Sequence, residues 1–242
     1  MPAGLLPLAA GPVIPTFNKP SKCLQDNGSF CWDYIKSNWS GVFVPALEQH
    51  IGMSLVAIAF GFVIAFVFAV LAHFFGFLVK PVTFIGSLLY TIPSIAAFEI
   101  LAPITNINYR TVEYALISYT LLILFTNTLA GLSGVSPEVL DASRGLGMKR
   151  AQILLRVELP LALPTIVAGI RVATVTIISL TTIVAFVILP KGLGEPIQDG
   201  LNRQIPTEYV FGGILCIALA LVADALLVLA QRSLTPWTRR RR

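Results

Sequence analysis

The sequence predicts an all-α integral membrane protein, and three observations carry that prediction. Hydrophobic residues make up 56% of the 242 positions and charged residues only 12%, where a soluble domain averages about 25% charged. The apolar residues are clustered in long blocks and mean hydropathy is +0.82; a block of about 18 or more such residues is the length that crosses a bilayer as a helix. Between two of the blocks lies one long amphipathic, charged stretch, residues 136–164. It is too charged to enter lipid and too apolar to be a free linker.

Taken in order, residues 1–31 are rich in Pro and Gly and carry no basic residue before Lys19. A cleavable signal peptide needs a positively charged first segment, so this stretch reads as an irregular external extension. Cys23 and Cys31 lie within it, eight residues apart. They form a disulfide if this end faces an oxidising compartment, and are two unpaired thiols otherwise. Residues 32–50 place two Trp and one Tyr beside charges, the composition of a helix lying at a membrane interface. Five spans follow, at about 51–71, 82–104, 114–132, 161–189 and 209–230, making 32–235 the transmembrane domain and 236–242 a basic tail. Pro93 lies inside the second span with Thr91 and Ser94 beside it, which predicts a kink whose freed carbonyl is taken by a hydroxyl. His50 and His73, at opposite ends of the first span, read as interface residues.

The charged stretch predicts a helix, a glycine elbow and a second helix. Ser136 is suited to an N-cap, with Pro137 at the first helical position and Glu138 in the first turn. Gly145 and Gly147 then break the helical path. A second short helix over 148–158 stops before Pro160. Placing the C-terminus in the cytoplasm puts ten basic residues there and six on the other face, the asymmetry expected of cytoplasmic loops. The extension is then outside, and loop 136–160 and the tail inside.

Residues 139–171, VLDASRGLGMKRAQILLRVELPLALPTIVAGIR, resemble the cytoplasmic EAA loop of ABC-importer permeases. Asp141, Ala142 and Ser143 occupy the E-A-A place, Gly145 supplies the glycine, and Glu158, Leu159 and Pro160 the closing turn. TIPSIAAFEILAPI (91–104), NTLAGLSGV (127–135) and PKGLGEPIQDGL (190–201) fit the permeases for glycine betaine, carnitine, choline and proline. The resemblance covers roughly residues 45–235. It implies the type I importer fold, with residues 141–147 (Asp141, Ala142, Ser143, Arg144, Gly145, Leu146, Gly147) as the segment that seats in an ATP-hydrolysing subunit. It also implies two ATP-binding subunits, a second permease chain (identical or related) and an external substrate-binding protein. Asp in place of Glu and Ser in place of the second Ala imply shifted contacts with the ATPase.

No GxxxxGK[ST] occurs, so the chain has no loop of its own to cradle ATP phosphates; Mg-ATP is expected on the partner subunit. No cluster has metal-ligand spacing, no Ser, His and acid form a catalytic arrangement, and nothing points to nucleic acid. With no enzyme activity expected in this chain, the resemblance implies the permease of an ATP-driven osmoprotectant importer in the cytoplasmic membrane of a prokaryote. The alternatives are a permease of the same type for another small solute, such as an amino acid, and an ion-gradient secondary transporter, for which paired inverted repeats are wanting. Charges inside spans are functional hypotheses by default. Arg171 and Asp224 lie at similar depths in otherwise uncharged spans and are expected to pair. Glu99 either snorkels to the outer surface or lines the passage, and Asn127 either joins helices or faces the passage.

Overall fold

The computed structural model describes residues 23, 26, 28–106 and 108–236. Most of the 1–31 extension and nearly all of the basic tail lie outside the described residues. Everything regular among those described is helical, as expected of a chain that must satisfy its own backbone in lipid.

Helix α1 (Trp32–Asn38) runs through a π-turn at Trp39–Phe43 into α2 (Val44–Phe74), giving one helical run of 43 residues from the aromatic segment through the first span. A short 3₁₀ turn leads to α3 (Val79–Thr91) and α4 (Ser94–Thr105). Then come α5 (Tyr109–Ser133), α6 (Pro137–Gly145), α7 (Arg150–Ile153), α8 (Leu159–Val187), α9 (Gly194–Arg203) and α10 (Pro206–Leu234). Among the described residues four helical runs are long and apolar enough to cross a membrane, and the pair α3 and α4 makes a fifth if counted as one.

That pair corrects the sequence reading. Residues 82–104 hold two helices meeting at 98°, a break far sharper than the kink expected at Pro93. Pro93 has no N–H to offer and forces Ile92 into an extended conformation (φ −66°, ψ 126°), which ends α3. Thr91 turns back to donate to the Leu88 carbonyl at 2.8 Å, while the Ile92 carbonyl accepts from the Tyr119 hydroxyl of α5. The break is thus fixed by a neighbouring helix as well as by the proline.

Helix α5 stands at the centre, packed against α2, α3, α4 and α8. Small residues allow these approaches, as is usual where lipid supplies no drive for helices to associate. A Cβ on Gly61 of α2 would overlap the Thr120 hydroxyl of α5, and one on Gly169 of α8 would sit 2.5 Å from the Asn127 Cβ. Helix α10 is the least enclosed span and packs on α8 and α9.

The bundle has two distinct ends. At the end opposite α6, the N-terminal segment is stapled down. Cys23 and Cys31 are joined in a disulfide with Cα atoms 5.7 Å apart. The Cys31 N–H donates to the Thr207 hydroxyl (3.1 Å), that hydroxyl donates to the Gly28 carbonyl (2.7 Å), and Tyr34 donates to Glu208 (2.9 Å). His50 is fully buried there, which overturns its reading as an interface residue. Its Nδ1 accepts from the Leu193 N–H at 3.1 Å, so Nε2 carries the proton and donates to the Ile178 carbonyl at 3.0 Å. One neutral ring ties α2 to α8 and to the turn after it.

Candidate coupling site

At the other end, α6 hangs between α5 and α8 as the charged segment. Ser136 takes the N-cap position in extended conformation with Pro137 at the first helical position. The Glu138 carboxylate is held below the usual carboxylate range, chiefly by its own backbone N–H and then by the neighbouring Ser136 hydroxyl. Asp141 and Ala142 are exposed, and Asp141 accepts from Arg144 at 2.7 Å with both side chains open to solvent. Such a pair contributes about 0–1 kcal/mol, so the acid can exchange partners readily. Ser143 faces inward, its hydroxyl donating to the Val139 carbonyl at 2.7 Å.

The elbow belongs to Gly147 alone. Its φ is +74°, whereas Gly145 keeps helical geometry as the last residue of α6. The expectation that Gly145 breaks the path is therefore corrected. The Leu146 N–H donates to the Ala142 carbonyl and the Gly147 N–H to Arg144, so the helix closes through Gly145 and only the following turn needs a left-handed residue. Leu146 stands at the tip, 82% exposed.

A second correction concerns Pro160. The helix begun at Arg150 does not stop before it but continues to Val187 as one run of 38 residues. The reason is the π-turn at Leu154–Glu158, in which the Leu159 N–H reaches back to the Leu154 carbonyl. That shift by one residue leads into a new α-helical start with Pro160 in its first turn, where a missing N–H costs nothing. The part of the charged segment from Arg150 onward and the fourth span form one rod.

Two contacts fasten this rod to α2. His73 Nε2 lies 3.2 Å from both oxygens of Glu158, a half-buried pair. Arg150 lies over the Phe74 ring at 4.6 Å and donates to the Phe74 carbonyl at 3.3 Å, placing a cation at the C-terminus of α2 where the helix dipole favours it. His73 is thus a fastening, not an interface residue. His73, Phe74, Arg144, Arg150 and Glu158 line a polar cleft between α2 and the segment. Sequence reasoning missed this set because its members lie 76 to 85 residues apart; the one signal was a histidine ending an apolar block.

The remaining candidates fall within the bundle. Arg171 Nε and Nη2 donate to the two oxygens of Asp224 at 2.8 and 3.0 Å, a fork that joins α8 to α10. Asn127 is half-buried, packs against Gly169 and donates to the Ile123 carbonyl of its own helix at 2.8 Å. Glu99 is exposed on α4. A further acid, Glu113, is buried near the start of α5; its place at the margin of an apolar block hid it.

The family described as binding-protein-dependent transport system inner membrane component matches residues 51–240. The choline transport system permease protein OpuBB of Bacillus subtilis is 35% identical over 204 residues, 84% of this chain and 93% of the relative. The glycine betaine/carnitine/choline transport system permease protein OpuCB of the same organism is 32% identical over the same shares. In fold, the chain resembles the MetNI methionine ABC transporter in an inward-facing conformation, with TM-score 0.67, 21% identity, and coverage of 83% of this chain and 97% of that one. The chain belongs to the binding-protein-dependent transport system inner membrane component family, as a multi-pass membrane permease of type I importer fold.

Proposed function

We propose that this chain is the permease subunit of an ATP-driven importer that moves a small osmoprotectant, of the glycine betaine, choline, carnitine or proline type, across the cytoplasmic membrane. The observation that carries the proposal is the joint one: relatives over 84% of the chain named for choline, glycine betaine and carnitine transport, and an exposed charged elbow continuous with a spanning rod. ATP is hydrolysed on a separate subunit, since the sequence lacks a phosphate loop. Two ATP-binding subunits seat on the elbows of two permease chains, identical or related, and an external binding protein delivers solute. The N-terminus is outside and the C-terminus inside, which puts the disulfide in an oxidising compartment.

The mechanism follows from stiffness. A displacement applied at Leu146 and Asp141 turns the rod Arg150–Val187 as a body. His73 with Glu158 and Arg150 with Phe74 carry α2 along. At the far end His50 holds α2 to α8, so the two move together there as well. The test is uptake into proteoliposomes holding this chain with the ATP-binding subunit and binding protein of its transporter. Labelled choline or glycine betaine is expected to accumulate only with ATP in the ATPase-facing compartment. Accumulation driven by an ion gradient without ATP would overturn the proposal.

A further inference from the structure

Three acids are buried among the described residues: Glu113, Glu158 and Glu208. Two have partners, Glu158 on His73 and Glu208 on Tyr34. Glu113 is 8% exposed, yet no protein donor reaches either of its carboxylate oxygens. An isolated carboxylate out of water is expensive, more so within a membrane span. Among the described buried acids, Glu113 is the one left without a partner.

The surroundings say what sort of partner. Glu113 sits on the central helix with Leu116, fully buried, three residues ahead of it on the same face. Tyr109 lies one turn back on the same face. Arg110, three residues away, is exposed and forms no ion pair with it. A buried carboxylate that no donor of the chain reaches suits a cation that has no N–H to donate: a quaternary ammonium. The short helix α4 packs on this part of α5. It is set off by the 98° break at one end and by Asn106, with a left-handed φ of 60°, at the other. A displacement of α4, whose Phe98 shares a buried cluster with Val112 and Leu116, is the movement that would uncover the acid.

We propose that Glu113 is a solute-contacting carboxylate, closed off in this conformation, which meets the quaternary ammonium head of the solute when the passage opens. The proposal rests on the permease reading above, and its test separates the two. In the assembled transporter with Cys216→Ser, Glu113→Cys is treated with a trimethylammonium-bearing methanethiosulfonate, at rest and during ATP turnover. Labelling is expected to rise at least about tenfold on turnover, the change in accessibility that about 1.4 kcal/mol of opening represents. No increase overturns the proposal whatever the solute proves to be. In parallel, the isosteric Glu113→Gln is expected to lower uptake of choline and of glycine betaine by roughly tenfold each, since both carry the trimethylammonium head. Glu113→Asp should keep much of the uptake. Undiminished uptake of both solutes with Gln would overturn the charge role. Wild-type chain that carries neither solute would refute the proposed solute class, while the labelling arm still decides whether Glu113 faces the passage.

Discussion

Gly147→Val is expected to abolish ATP-driven uptake while leaving the chain inserted and at normal abundance. Gly147 has φ +74° and nothing within 4 Å of where a Cβ would stand, so the obstacle is conformational and not a clash. A non-glycine residue in the left-handed region costs about 1–2 kcal/mol, and β-branched side chains are disfavoured further. The cheapest relief is for the turn at 146–149 to change its path, which re-aims α6 and Leu146 relative to the rod. Insertion depends on the apolar spans and is untouched. Gly145 supplies the contrast. It is helical, with open space around its Cβ position, so Gly145→Ala should retain uptake and stabilise α6 by up to about 1 kcal/mol. Uptake and abundance measured for both variants check the assignment. Normal uptake by Gly147→Val would show that the elbow is not required.

The contrast between the two glycines marks how far sequence alone reaches. The spans are legible because a bilayer imposes length and hydropathy on each block independently, and the charged segment is legible by difference. Which of two glycines is left-handed depends on where the preceding helix closes its last hydrogen bonds, which spacing does not reveal. The continuation through Pro160 depends on a π-turn, and the sharp break at Ile92 on a hydroxyl from Tyr119, 27 residues away. The histidines mislead for a similar reason. His50 acquires its meaning from the carbonyl of Ile178 and the N–H of Leu193, and His73 from Glu158. The depths of Arg171 and Asp224 can be read from their distances to Pro164 and Arg232, but the fork between them is a matter of helix rotation.

Arg171→Ala and Asp224→Ala are each expected to reduce the amount of folded protein, and the double variant to recover part of the loss. Removing one partner of an enclosed ion pair strands the other, at about 3–5 kcal/mol when fully buried. Here each side chain is about a third exposed, 33% and 34%, so the loss is expected to be well below that of a fully buried pair. The pair joins α8 to the least enclosed span, α10, and Gln231 adds a bond from α10 to the Pro164 carbonyl at 3.2 Å. Detachment of α10 is therefore the expected failure. Exchanging the residues, Arg171→Asp with Asp224→Arg, should be tolerated better than either single change. Detergent-extracted folded protein, quantified across the four variants, checks this. Single losses that simply add in the double variant would mean that the two charges act independently.

The most direct measurement is a cross-link at the tip of the elbow. In a Cys216→Ser background, Leu146→Cys places one free thiol at the most exposed point of the charged segment, with the native Cys23 and Cys31 already bonded to each other. Treated with a short bifunctional thiol reagent in membranes containing the ATP-binding subunit, it is expected to form a permease–ATPase adduct whose yield changes with nucleotide. A thiol introduced at Gln204, exposed at the opposite end, should form none. An adduct at Gln204 and none at Leu146 would contradict both the coupling role of the segment and the orientation of the chain.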